Sequence, residues 1–237
     1  MHLSVIIPAY NEAKRLPGTL ESVNAYLSKQ SYEYEILVVN DGSTDATESV
    51  ISKLQIPNFK LISNKINRGK GAVVKQGMLA ASGDYRLFMD ADNSTMIDQI
   101  ENFFPWLKQG YDVVIGSLAV PGAQVVRGEP WYRVLAGKLG NKFIQIFAVW
   151  GIHDTQRGFK LFSAKAAQDI FSRLTIFGWG FDVEALAVAR KLGYKIKEVP
   201  VIWNNDPNSK VNIWAYPKVL MQTLQVRWNL LTGKYGI

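Results

Sequence analysis

The 237-residue sequence predicts an α/β domain: a mostly parallel central sheet flanked by helices, with a C-terminal extension. Three observations carry this. Short apolar runs alternate with stretches of helical apolar spacing through the first half. Polar clusters recur where the apolar runs end. Composition, 48% hydrophobic and 20% charged, is that of a chain able to build a core.

Taken in order, "LSVIIPAY" (3–10) reads as a buried strand, and residues 16–30 follow with apolar positions at 16, 20, 23 and 27, a helical spacing. "YEILVVND" (34–41) is a second strand, and 44–55 a helix for which Ser43 or Thr44 is the expected cap. A third strand spans 59–64, a glycine-opened helix 69–82, and a fourth strand 85–90. Residues 96–110 are helical with an expected kink at Pro105, and 111–117 form a fifth strand. Such alternation implies right-handed crossovers, with ligands bound outside the carboxyl ends of the strands. Then the rhythm breaks. Residues 118–132 read as a long loop, 131–150 as a basic amphipathic helix, and 151–163 as a loop entering a short strand. Helices at 164–173 and 181–192, a strand at 196–203, a turn-rich loop at 204–210 and an amphipathic helix at 218–231 complete the chain.

The bulk numbers exclude several classes. There is no cysteine, so neither a disulfide framework nor a thiolate site is available. No apolar stretch reaches the ~18 residues of a spanning helix, and no basic leader precedes Leu3. Net charge is +7, which favours an anionic partner. The basic residues are scattered and no stacking motif accompanies them, so nucleic acid is not the expected partner.

The densest chemistry lies in "YRLFMDADNST" (85–95), where an apolar run stops at Asp90 and Asp92. If strand geometry persisted to Asp92, both carboxylates would aim at one point and a hard divalent cation would relieve their repulsion. A polar turn is the competing reading, since Asp and Asn are good turn formers. Neither a P-loop nor a dinucleotide glycine motif is present.

The elements "VIIPAYNEAKRL" (5–16), "VVNDGSTDAT" (38–47), "NRGKGAVVKQG" (67–77) and "MDADNS" (89–94) occur in that order. Together they resemble the GT-A glycosyltransferases of inverting family 2. "HDTQRGFKLF" (153–162), the stretch 178–203 and "SKV" (209–211) resemble the dolichyl-phosphate β-glucosyltransferases, with dolichol-phosphate mannose synthases a looser match. The resemblance covers roughly residues 3–215. It implies a GT-A domain over 1–215, divided into a nucleotide-sugar half (1–117) and an acceptor half (118–215), followed by an amphipathic helix over 216–237.

By the same resemblance, Pro8, Tyr10, Asn11 and Glu12 frame the base and ribose, and Asp41 accepts from the uracil imide. Arg68, Lys70, Asp90 and Ala91 contact the nucleotide. Mg²⁺ or Mn²⁺ is held by Asp92 with Asp90, the second aspartate binding the ion and the first serving the ribose. Asp182 and Asp154 are the catalytic candidates. Arg127, Arg133 and Lys160 are the candidates for an acceptor phosphate, whereas Arg157 stands where the pattern has a small residue. Asp45 suits a helix cap, and Trp179 either a sugar wall or a core position. The expected reaction moves glucose from UDP-glucose to a polyprenyl or dolichyl phosphate, on a protein lying peripherally at the cytoplasmic face of a membrane. GDP-mannose or UDP-N-acetylglucosamine as donor, or a non-lipid glycan acceptor, stays open. A sugar nucleotidyltransferase would need a glycine-rich basic loop after the first strand, which "PAYNEAKRL" lacks.

Overall fold

The computed structural model describes residues 1–128, 131–205 and 215–237; the side chains of 131–133, 215 and 216 are outside that set. The side chain expected of Arg133, and the 209–211 motif, therefore lie outside the described residues.

The first half follows the expected alternation. β1 (His2–Ala9), α1 (Leu16–Leu27), β2 (Glu33–Asn40), α2 (Thr47–Ile51), β3 (Phe59–Ser63), α3 (Lys70–Ala80) and β4 (Tyr85–Met89) alternate as read, each strand ending one residue earlier than expected. The helix after β2 is only five residues long. Asp45 accepts from Thr47 N–H at 2.9 Å as its start signal, while Ser43 and Thr44 bond back to Asn40 and Asn11 and cap nothing. The helix expected over 96–110 divides into a 3₁₀ segment (Ile97–Asn102) and α4 (Phe104–Lys108). Pro105 sits in the first turn of α4, where a missing N–H costs nothing.

Beyond β5 (Val113–Ser117), the long loop contains a strand that periodicity did not reveal, β6 (Gln124–Arg127), whose residues are all exposed. α5 (Trp131–Phe147), β7 (Phe159–Ser163), α6 (Ala164–Arg173) and α7 (Phe181–Lys191) follow. The strand expected over 196–203 is two, β8 (Ile196–Pro200) and β9 (Ile202–Asn204), before α8 (Ala215–Leu231). β8 stays in the main sheet. β9 leaves it and pairs in parallel with β6.

The seven-stranded sheet has the order β3-β2-β1-β4-β7-β5-β8 and is parallel except for β7. Two consequences place the site. The chain runs outward from β1 to β3 and then returns to β1's other side at β4, so the strand order reverses between β1 and β4 and opens a crevice at their carboxyl ends. β7 runs against its neighbours with Phe159 opposite Met89, so the loop entering it reaches the same edge.

Alternation divides the core in two. Phe88, Phe162 and Val113 face the layer containing α3, α6 and α7; Leu87, Met89 and Leu161 face the layer of α1, the 3₁₀ segment and α4. α8 belongs to the first layer through Val219 and Val226. Burial of residues 5–9 of β1 on both faces explains why that stretch reads as an unbroken hydrophobic run.

Candidate active site at the β1/β4 switch point

β4 ends at Met89, so Asp90 and Asp92 do not extend a strand; they belong to a turn completed by Asn93 at φ +54°. Asp92 Oδ1 accepts from Ser94 N–H at 2.9 Å, an Asx-type closure of that turn. Strand geometry does not persist to Asp92; the turn itself brings both carboxylates to one cavity of about 430 Å³. Pro8, Ala9, Tyr10 and Glu12 from the end of β1 line it, with Asp41 after β2, Lys70 at the start of α3, Asp90 to Asp92, and Trp179. The volume suits a small-molecule ligand.

Lys70 sits among the acids, its Nζ 2.7 Å from Asp90 Oδ1 and 5.0 Å from the Trp179 ring centroid. Burial pulls the Lys70 pKa down, but Asp90, Asp182 and Asp92 outweigh it and hold the pKa above the usual lysine value. Burial first, and then Asp90, push the Asp92 carboxyl above the usual carboxylate range. Asp41 is buried and its two oxygens accept from the main chain of Arg68 (2.8 Å) and Gly69 (2.9 Å), which fixes the approach to α3. Arg68 contributes that N–H; its side chain is exposed and does not line the cavity. Asn11 uses its side chain to hold the 44–45 turn, and Glu12 pairs with Arg15 at 2.6 Å, so Arg15 joins the lining. Its i,i+3 spacing from Glu12 was the available signal.

Beside the cavity, β7 supplies a second layer. Lys160 lies opposite Phe88, on the face that looks toward α7. Its Nζ is 2.5 Å from Asp182 Oδ1 and 2.5 Å from the Arg157 carbonyl, and it is buried. The antiparallel register turns it inward, toward Asp182. Asp182 is likewise buried, more than helix-dipole stabilisation at the start of α7 would require. Asp154 accepts from Leu118 N–H and Arg157 Nε, each at 3.0 Å, and does not line the cavity. Arg157 spans Asp154 and the Trp203 ring, 4.7 Å from its centroid. Arg127 is exposed on β6; β9, its partner strand, is tied to the turn after Asp92 by Asn204 N–H to Ser94 O at 2.9 Å. Gly158, passed over in the sequence, abuts Asp90 so closely that no side chain fits between them.

The profile of Glycosyl transferase family 2 matches residues 4–171. The chain belongs to glycosyl transferase family 2. Among its relatives, the dolichyl-phosphate beta-glucosyltransferase of Dictyostelium discoideum is 36% identical over 252 residues, spanning 100% of this chain and 77% of the relative. The Homo sapiens dolichyl-phosphate beta-glucosyltransferase is 33% identical, spanning 99% and 78%. In fold, the chain is similar to mannosyl-3-phosphoglycerate synthase from Rubrobacter xylanophilus, with a TM-score of 0.73 at 17% identity over 100% of this chain and 76% of that one. It is also similar to Mycobacterium tuberculosis glucosyl-3-phosphoglycerate synthase in complex with Mn²⁺, UDP and glucosyl-3-phosphoglycerate, with a TM-score of 0.67 at 20% identity over 99% and 80%. The matched stretch runs from β1 into α6 and so includes the switch point with its carboxylate turn.

Among the described residues no helix is long and apolar enough to cross a membrane, and no group of three or more metal-binding side chains occurs. Two carboxylates and nothing softer form a hard-oxygen donor set, which fits Mg²⁺ or Mn²⁺ if the ligand itself completes the coordination.

Proposed function

We propose that this glycosyltransferase moves glucose, with inversion, from UDP-glucose to a dolichyl-type or polyprenyl phosphate at a membrane surface. The observation that carries the reading is the carboxylate pair at the switch point, joined from the other side by the loop that enters β7. Relatives at 33–36% identity over nearly the whole chain, all named dolichyl-phosphate beta-glucosyltransferases, support the acceptor and the sugar.

Pro8, Tyr10, Glu12 and Asp41 surround the nucleoside, and Asp41, already fixed by two N–H groups, keeps lone pairs for the uracil imide. Lys70 holds the diphosphate. Asp92, with Asp90, would hold a Mg²⁺ or Mn²⁺, which when bound neutralises charge on the departing diphosphate. An acceptor phosphate oxygen attacks the anomeric carbon as the bond to the β-phosphate oxygen breaks, and the electron pair leaves on UDP. The acceptor is ionised at neutral pH, so orientation matters more than proton removal. Asp182, fixed by Lys160, orients the acceptor side; Asp154 fixes the loop carrying Arg157. Arg127 meets the acceptor phosphate.

The outer faces of α5 and α8, which pack together, support a lipid surface. Leu139 (65% exposed) and Ile146 on α5, and Trp228 (67%) and Leu231 on α8, are exposed, as are Lys138, Lys142 and Arg227. Exposed apolar residues rimmed by cations suit an anionic bilayer.

The test incubates purified protein with Mn²⁺, a short polyprenyl phosphate and, in turn, UDP-glucose, GDP-mannose and UDP-N-acetylglucosamine. A glucosyl phospholipid from UDP-glucose alone is expected. Absence of product from every donor sinks the lipid-acceptor reading; product mainly from GDP-mannose changes the sugar.

A further inference from the structure

No described residue of the C-terminal helix lines the cavity, yet the helix holds the segment that shapes one wall of it. Residues 174–180 run between α3 and α8. On the α8 side, Gln222 Oε1 accepts from Gly180 N–H at 2.7 Å, and a Cβ on either Gly178 or Gly180 would come within 2.6 Å of the Gln222 side chain. Gly180 is the residue before α7, whose second residue is Asp182.

A second tether stands further along. Glu184 is fully buried, and the groups bonded to it are neutral donors. Its carboxylate accepts from Thr175 N–H (3.0 Å), Ile176 N–H (2.9 Å), the Thr175 hydroxyl (2.7 Å) and the Tyr235 hydroxyl (2.9 Å). Asn229 of α8 reaches both Thr175 and Tyr235. Burial, and then Glu184, raise the Tyr235 pKa, so its hydroxyl stays a donor. A buried, fully bonded carboxylate of this kind fixes geometry, since any lost partner leaves an uncompensated charge.

On the other side the same segment fixes the start of α3. Gly71 N–H donates to the Phe177 carbonyl at 2.8 Å, and Gly69, at φ +95°, passes so close that a Cβ would stand 2.5 Å from that carbonyl. Lys70 lies between these two glycines and reaches Asp90.

We propose that Gln222 and Tyr235 are positioning residues for the donor site: α8 fixes the 174–180 segment, which in turn places Lys70, Trp179 and Asp182. The donor part of this inference rests on the function proposed above. The apolar outer face of α8 and the Gln222 and Asn229 contacts are on one helix, with Tyr235 in the turn just past its end, so displacement of that helix moves the wall of the cavity.

The test follows the Gly71 amide, which neither residue touches, by hydrogen exchange, and Mn²⁺·UDP binding by calorimetry. Gln222→Ala and Tyr235→Phe each speed Gly71 exchange about tenfold and weaken Mn²⁺·UDP by a similar factor. Gln222→Glu, which keeps an acceptor at a helix N-terminus, restores both. Val226→Ala, buried in the same helix but with no polar group to offer the segment, lowers Tm and leaves Gly71 exchange at the wild-type rate. Wild-type exchange in Gln222→Ala overturns the proposal, as does equal acceleration in Val226→Ala. Failure of wild-type protein to bind Mn²⁺·UDP overturns the donor reading, while the exchange result still decides the positioning one.

Discussion

Replacing Gly158 with alanine tests whether Asp90 is held by its surroundings or merely exposed at a turn. A Cβ at position 158 would stand 1.9 Å from Asp90 Oδ2, 2.2 Å from its Cγ and 2.6 Å from Oδ1. Cβ atoms do not sustain contacts below 3.0 Å, so the carboxylate must retreat by more than 1 Å or the strands must part. Parting is resisted by the Asp90 N–H to Gly158 O bond at 3.0 Å and by the Met89–Phe159 pairing behind it. Forced overpacking of this kind costs ~1–3 kcal/mol, a Tm loss of about 2–12 °C for a chain of this size. If the carboxylate yields, it leaves Lys70 and its partner Asp92, and disturbed support of a metal ligand costs ~10–100-fold in affinity. Mn²⁺ titration by electron paramagnetic resonance with and without UDP, alongside thermal unfolding, reads both effects. Asp90→Asn, which removes the charge without adding an atom, should match the binding loss with little loss of Tm. Mn²⁺·UDP binding by Gly158→Ala within twofold of wild type refutes the reasoning.

Three further outcomes are expected. Lys70→Met removes the cation facing Asp90, so nucleotide-free protein binds Mn²⁺ more tightly while UDP-glucose binds more weakly; calorimetry showing both affinities falling together contradicts the placement of Lys70. Breaking the buried Lys160–Asp182 pair from one side, as in Lys160→Met or Asp182→Ala, costs ~3–5 kcal/mol, and the double variant Lys160→Met/Asp182→Leu recovers part of that stability without recovering activity, measured by denaturant unfolding. Burial would raise the Glu35 pKa, but hydrogen bonds from Lys60, Ser4 and Ser82 hold it down at about 2 against an ordinary 4.5. The unfolded chain takes up that proton first, so up to ~3 kcal/mol of stability is present above pH 4.5 and is lost as pH falls toward 2; Glu35→Gln flattens that part of an acid-unfolding curve.

The first half of the chain was legible because period and punctuation agree there: β1, β2 and β4 are apolar runs closed by polar residues, and each polar end faces the cavity. The second half was less so for physical reasons. β6 is exposed along its whole length, so it carries no burial pattern to read. β7 runs antiparallel, and nothing local in "GFKLFS" specifies direction; that choice is made by pairing with β4 and β5. The inward turn of Lys160 follows from that choice, so a residue chemically suited to phosphate became a buried partner of Asp182. Gly158 and Gln222 act through contacts 68 and 42 residues away, to Asp90 and Gly180, which sequence spacing does not reveal. Asp41, Asp90 and Asp92 needed only the end of a strand, and that was visible.

The charges at the sheet edge also bear on how the donor is taken up. Asp41, Asp90, Asp92 and Asp182 lie among Lys70 and Lys160, and Glu12 is paired with Arg15, so carboxylates outnumber cations and the edge is net negative. A divalent cation alone meets an aspartate already paired at 2.7 Å and a lysine that repels it. A nucleoside diphosphate alone meets a net negative edge. Arriving together, cation and diphosphate each cancel what opposes the other: the cation offsets the carboxylates that repel the diphosphate, and the diphosphate gives Lys70 an anion to hold in place of Asp90. Interleaving lysine with the carboxylate pair therefore makes each ligand's affinity depend on the other, as linkage requires. On the function proposed above, two carboxylates without Lys70 would be a metal site; with it, they would serve a metal–diphosphate complex.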